Sequence, residues 1–149
     1  REMLPTLGHK KPVCVFTPLL PGLTGGKMSA SVEKSKLDLL DSEKDVEKKV
    51  IGAQCPAGKV EGNGILAFLK YVIMVLKQDA GKEFIVPRPA KYGGDASYKS
   101  YEEIEKAFVA NKLHSEDLKV AVAHELNSIL SGVRKRFKGK QELLRNAYP

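Results

Sequence analysis

Cysteine is nearly absent from this chain of 149 residues, which has only Cys14 and Cys55. One pair makes no disulfide framework, and its spacing fits no zinc pattern, so no residue is assigned to a metal. Both are expected as free thiols, the state favoured in a reducing compartment. Neither has a neighbouring base that would mark a nucleophile. Long apolar runs are missing too. The most apolar stretch, Ile65 to Leu76, is interrupted by Lys70 and falls short of the roughly 20 residues that a bilayer-spanning helix needs. It reads as a buried helix, and no membrane is expected as a partner. No signal peptide is legible, because Arg1-Glu2-Met3 leads into no apolar run and does not begin as a natural N-terminus would. Internal repeats and low-complexity segments are also lacking.

What is present suits one globular domain. The chain is 42% hydrophobic and 29% charged, with a formal net charge of +7. At this length a substantial core can be buried, and the basic balance favours a polyanionic partner without naming one. "PVCVFTPLL", Pro12 to Leu20, is a β-rich apolar run bounded by prolines and predicts one buried strand. A lone strand needs a sheet that the rest of the chain does not offer. "SKLDLLD" follows as an amphipathic connector. From Ser42 the pattern turns helical. Ser42 with Asp45, and Ser100 with Glu103, read as helix starts of the capping-box kind. "NGILAFLKYVIMVLKQ" is apolar on most sides and predicts a helix central to a core. "KEFIVPRP" and "YGGDASYKS" predict a small hairpin. From Ser115, the residues Leu118, Val122, Leu126, Ile129, Leu130, Val133 and Phe137 keep helical spacing. A last short helix is expected over roughly Gln141 to Ala147. His124 and Glu125, in the middle of a helix, are expected to face solvent.

The stretch "GLTGGKMSAS", Gly22 to Ser31, joins two glycines to one lysine and two hydroxyls. When a nucleophile attacks the α-phosphate of ATP, charge builds on the departing pyrophosphate. A lysine on a mobile loop can meet that charge in the transition state. Here Lys27 would be that cation, Gly25 and Gly26 would let the loop swing, and Ser29 and Ser31 would bond phosphate or fix the loop beside Met28. The residues alone equally suit a surface turn with a solvated lysine.

"KMSAS" resembles the lysine-methionine-serine-lysine-serine signature of the class I aminoacyl-tRNA synthetases. The resemblance continues through "KLDLLD", "VEKKV", "EGNGILAFLKYV", "KYGGD", "SYEEIEKAF", "LHSEDLK" and "AVAHELNSIL", and so covers nearly the whole chain. It is similar to the C-terminal part of the tyrosyl-tRNA synthetases of the archaeal and eukaryotic cytoplasmic type. Ala30 stands where the signature has its second lysine, which leaves Lys27 as the main cation. A similar spelling occurs in the tryptophanyl enzymes, and the downstream segments favour the tyrosyl ones. In such enzymes a Rossmann-type half with a histidine signature lies upstream. His9, followed by Lys10 and Lys11, does not match that signature.

"KYGGD" sets Tyr92 on a glycine turn, and "LHSEDLK" sets His114 before a helix with Asp117 in its first turn. A carboxylate can accept both donors on a guanine's edge while an aromatic ring stacks on the splayed base, the usual way of reading single-stranded RNA. Such stacking is worth about 1–3 kcal/mol per base. Taken singly, Asp117 also suits the positive end of a helix, His114 a helix entry, and Tyr92 packing on the domain. The resemblance implies that these three contact the first anticodon base, a guanine. The basic run Arg134, Lys135, Arg136, Lys138, Lys140 and Arg145 can steer an RNA backbone, or simply suit a helix C-terminus.

The expected fold is mainly α: a helical anticodon-binding domain with a short hairpin over 42–149. The last strand and signature loop of a Rossmann-type catalytic domain precede it over 1–41. The implied function is that of a tyrosine–tRNA ligase, with ATP as substrate, Mg2+ accompanying it, and no tightly bound cofactor. Its implied partners are tRNA(Tyr), the upstream catalytic half, and a second copy joined through catalytic domains. This chain alone is expected to be inactive, largely monomeric and cytoplasmic. Three alternatives stay open: a non-catalytic RNA-binding module of the same fold, a tryptophanyl-type synthetase, and a helical interaction domain without RNA.

Overall fold

Side-chain caps decide where the helices begin, because the first four N–H groups of a helix have no partner within it. In the computed structural model, which describes residues 3–11, 13–29, 32–140, 142–143 and 146, Ser42 accepts the Asp45 N–H and opens α2, Glu43–Ile51. The Ser42 hydroxyl in turn donates to the Asp45 carboxylate at 2.6 Å, which with the nearby Lys49 and Lys48 holds that carboxyl below its ordinary range. Asn63 accepts the N–H groups of Ile65 and Leu66 and opens α3, Gly64–Phe68. Ser100 opens α5, Tyr101–Val109, and the Glu103 carboxylate reaches back to the Lys99 N–H at 2.8 Å. Each such cap stabilises by about 1 kcal/mol.

α3 continues without a break into a π-helical turn, Leu69–Ile73, and then α4, Met74–Asp79. The Met74 N–H bonds the Leu69 carbonyl, five residues back. One extra residue in the turn rotates the faces that follow. Ile65, Leu66, Phe68, Leu69, Ile73 and Met74 are buried, whereas Lys70, Tyr71, Val75 and Leu76 face outward. The helix is thus half in the core rather than enclosed by it. Lys70 lies 4.8 Å from the centre of the Tyr101 ring, a cation–π contact.

The hairpin forms as expected. β1, Phe84–Val86, pairs antiparallel with β2, Ala96–Tyr98, in the register Phe84 to Tyr98, Ile85 to Ser97 and Val86 to Ala96. Phe84 and Val86 point into the core and Ile85 outward, the alternation of a strand with one wet face. The long helix α6, Ser115–Phe137, packs along α2 and against β1. Lys119 donates to the Ile51 carbonyl at 3.0 Å and Asn127 to the Glu43 carbonyl at 3.1 Å, so α2 and α6 run antiparallel. Glu125 does not face solvent as expected. It pairs with Lys77 at 2.6 Å and fastens α6 to α4, while His124 is exposed.

One apolar cluster gathers residues from Leu23 to Leu130, with Phe84, Phe108, Ile104 and Leu118 fully buried. Cys55 is buried at its edge, where desolvation pushes its thiol up, and Cys14 is exposed. The buried strand expected over Pro12 to Leu20 is not found. Pro12 lies outside the described residues, and 13–20 form no strand, with Val13, Val15, Phe16 and Leu19 all exposed. The physical reason is the one the sequence suggested: among the described residues the only sheet is the two-stranded hairpin, so no neighbour supplies a ladder. The expected helix over Gln141 to Ala147 lies largely outside the described residues. Ahead of the core stand a short turn of helix, α1, Met3–Thr6, and a 3₁₀ turn, Glu33–Ser35.

Candidate functional site

The sequence points to two groups of residues, and each rests on a different piece of backbone. The first is the glycine–lysine loop. Pro21 and Lys27 face each other in an isolated antiparallel bridge, which pinches the neck of the loop. The Gly22 N–H donates to the Gly26 carbonyl at 2.7 Å and the Gly25 N–H to the Gly22 carbonyl at 3.1 Å. Gly25 and Gly26 have φ of 74° and 96°, a left-handed conformation that side chains resist. A Cβ on Gly25 would also stand 2.7 Å from the Gln54 side-chain oxygen.

Leu23 moors this loop. Its side chain is fully buried in the core, its N–H bonds the Ser35 carbonyl at 3.0 Å, and its carbonyl accepts the Gln54 N–H at 2.9 Å. The buried Ser35 stitches the far side, accepting the Ser29 N–H at 3.3 Å and donating to the Val32 carbonyl at 2.7 Å. Freedom to swing is therefore restricted to the tip, Thr24 to Lys27, which is exposed. The Lys27 ammonium has no ion pair among the described residues, so it is open to an anion. Met28 is half-buried against the core. Ala30 and Ser31 lie outside the described residues.

The second group lies on the hairpin turn and the start of α6. A 3₁₀ turn, Ala90–Tyr92, ends at Gly93 and Gly94, whose φ values are 94° and 73°. This puts Tyr92 on the surface with 61% of its area exposed. The Lys91 ammonium sits 4.8 Å from its ring centre. His114 caps α6 itself, its Nδ1 accepting the Glu116 N–H at 3.2 Å. Helix entry, one of the two readings open for this residue, is thus a role that it has. An accepting Nδ1 leaves Nε2 as the ring's donor. Asp117 is half-buried in the first turn, yet its carboxylate takes no hydrogen bond or ion pair among the described residues. An acceptor left open in this way suits a ligand with paired donors.

The basic run divides. Arg134 is spent inside the fold, donating to the Asp41 carbonyl at 2.6 Å and to Asn127 Oδ1 at 2.7 Å, with Glu43 at 3.8 Å. Lys135, Arg136, Lys138 and Lys140 are exposed, and Arg145 lies outside the described residues. Sequence reasoning missed Ser35, Lys119 and Arg88. Each is an ordinary polar residue whose partner is distant in sequence or is a backbone carbonyl, so no local signal marks it. Among the described residues, no group of three or more His, Cys, Asp or Glu is placed to hold a metal ion.

Comparison with known proteins follows the same outline. Residues 1–131 match the family model described as tRNA synthetases class I (W and Y). A tyrosine–tRNA ligase of Haloarcula marismortui is 48% identical over 149 residues, which is 100% of this chain and 43% of that protein. The cytoplasmic tyrosine–tRNA ligase of Danio rerio is 45% identical over 150 residues, covering 99% of this chain and 28% of that protein. The crystal structure of tyrosyl-tRNA synthetase from Archaeoglobus fulgidus, complexed with L-tyrosine, matches with a TM-score of 0.84 at 46% identity. That match covers 91% of this chain and 41% of that one. The chain spans less than half the length of these curated relatives. With the family model matched over 131 residues and tyrosyl enzymes as its relatives, the chain belongs to the class I tRNA synthetases (W and Y), in their tyrosyl group.

Proposed function

We propose that this chain serves a tyrosine–tRNA ligase, which joins tyrosine to ATP, releases pyrophosphate and passes tyrosine to tRNA(Tyr). Residues 1–41 would be the end of a Rossmann-type catalytic domain, and 42–149 the anticodon-binding domain. ATP is the substrate that the lysine loop meets, and Mg2+ would arrive with its phosphates. Lys27 would stabilise charge on the departing pyrophosphate, an interaction strongest in the transition state. Gly25 and Gly26 let the backbone turn tightly enough to present that ammonium at the tip.

Recognition of the first anticodon base falls to Tyr92, His114 and Asp117. The observation that carries this is Asp117, a half-buried residue in the first turn of a capped helix whose carboxylate has no protein partner among the described residues. An open carboxylate can accept the N1–H and N2–H of a guanine together, while the exposed Tyr92 ring stacks on the base.

Binding titrations with anticodon stem-loops that differ only at the first anticodon base test the reading. Asp117→Ala should cost about 1–3 kcal/mol with guanine, by analogy with a good bidentate base contact. The cost should shrink with adenine, which lacks the donor pair. Equal losses for both loops, or none, would reduce Asp117 to a helix-end residue and remove the anticodon assignment.

A further inference from the structure

Arg88 stands between two prolines at the end of β1, outside both groups described above, yet it joins the segments that carry the second one. Its Nε donates to the Gly94 carbonyl at 3.1 Å, two residues beyond Tyr92. Its Nη1 donates to the Lys112 carbonyl at 3.1 Å, two residues before His114. Its backbone N–H donates to the Asp95 carboxylate at 3.1 Å, so the turn is closed around it. Gly93 sits directly beneath the guanidinium, where a Cβ would come within 3.9 Å of Nη2.

The two linked segments need an outside tie. The Tyr92 turn depends on Gly93 and Gly94, both with left-handed φ, and such residues lose the most freedom on ordering. Its own bonds, Tyr92 N–H to the Pro89 carbonyl and Gly93 N–H to the Ala90 carbonyl, close the turn on itself, and the β1–β2 pairing anchors its two ends without reaching the start of α6. The α5–α6 connector is also unusual, with Asn111 at φ 55° and Leu113 buried beside the capping His114. A planar guanidinium with its donors in a fixed fork can hold two carbonyls at a set separation; a lysine ammonium on a flexible stem cannot.

We propose that Arg88 is a positioning residue for base recognition: by bridging the Gly94 and Lys112 carbonyls it sets the spacing between the Tyr92 ring and the His114–Asp117 helix start. The inference rests on the anticodon reading above. It assigns Arg88 no contact with RNA, although a surface arginine in a basic chain would ordinarily be read as a phosphate contact.

The test is stem-loop binding by this chain, with guanine or adenine at the first anticodon position, over a range of salt. Arg88→Ala should lower the guanine-over-adenine preference by roughly tenfold, within the span of one good base contact. The slope of log affinity against log salt should stay as in the unsubstituted chain, because no counterion is released at Arg88. Arg88→Lys should fail to restore the preference although it keeps the charge. In a Tyr92→Ala background the Arg88→Ala effect should largely vanish, since it acts through that ring. Far-UV circular dichroism confirms that each variant is folded, and Arg88→Lys carries the test if the alanine variant is not. A uniform loss for both loops with a shallower salt slope, rescued by lysine, would make Arg88 a phosphate contact and overturn the proposal. An unchanged preference, or effects that add fully with Tyr92→Ala, would overturn it as well. If the unsubstituted chain shows no preference for guanine, the anticodon reading itself falls; if it shows one that Arg88 does not influence, only this inference falls.

Discussion

Arg134 shows how a residue's role changes once its partners are known. In the sequence it opens a basic run and invites a phosphate. In the fold its guanidinium ties α6 to the Asp41 carbonyl and to Asn127, and 18% of the side chain remains exposed. Arg134→Ala should therefore destabilise the chain by about 1.5–3 kcal/mol, the range for hydrogen bonds to charged groups, and leave the salt slope of RNA binding unchanged. Urea unfolding measures the first and titration at several salt concentrations the second. A slope shallower by about one unit would return Arg134 to the phosphate backbone. Glu125 carries the same lesson, because its pairing with Lys77 depends on a helix 48 positions earlier in the chain.

Among the elements, the lysine loop depends most on packing. Its glycines are legible in the sequence, but its anchor is Leu23, which the sequence does not distinguish from any other loop leucine. Gly64, the first residue of α3, presses on the same place. A Cβ there would stand 2.6 Å from the Gly22 carbonyl oxygen, so the loop and the helix meet backbone to backbone. Leu23→Ala should cost about 2–5 kcal/mol, as large-to-small changes in a core do, and should loosen the loop as well as the core. Chemical denaturation gives the cost. Hydrogen exchange at position 23 and at Gln54, whose N–H groups bond the Ser35 and Leu23 carbonyls across this junction, reports the loosening. A loss under 1 kcal/mol with unchanged exchange would mean that the loop is held by Ser35 alone.

At the scale of the whole molecule, the proposed function makes the two groups parts of a longer reaction path. The bridge at Pro21 and Lys27 presents an ammonium that has no ion pair among the described residues, and on the proposed function tyrosine is held by the catalytic half rather than by this loop. The purified chain should show no tyrosine-dependent pyrophosphate exchange. In the intact ligase, Lys27→Ala should lower the activation rate far more than it weakens tyrosine binding, because the contact belongs to the transition state. Exchange assays and tyrosine titration separate the two, and equal losses would mean that the loop only binds the ground state. Val13, Val15, Phe16 and Leu19 stay exposed, so the described residues leave this apolar stretch uncovered.

The sequence by itself determined the helix starts at Ser42 and Ser100, the hairpin, and most of the apolar face of α6. Capping and periodicity are local, so a few neighbouring residues suffice to state them. It also made the lysine loop and the Tyr92, His114 and Asp117 group legible as chemistry, through motifs confined to short stretches. What it misjudged was long-range: the strand over Pro12 to Leu20 that has no ladder, the Glu125–Lys77 pair, and the fate of Arg134. Only the tertiary structure decided which polar groups are spent inside the fold and which are left open. Hydrogen bonds to distant carbonyls leave no pattern in the sequence. Arg88 bridging Gly94 and Lys112, and Asp117 left without a partner among the described residues, become visible only when the chain is folded.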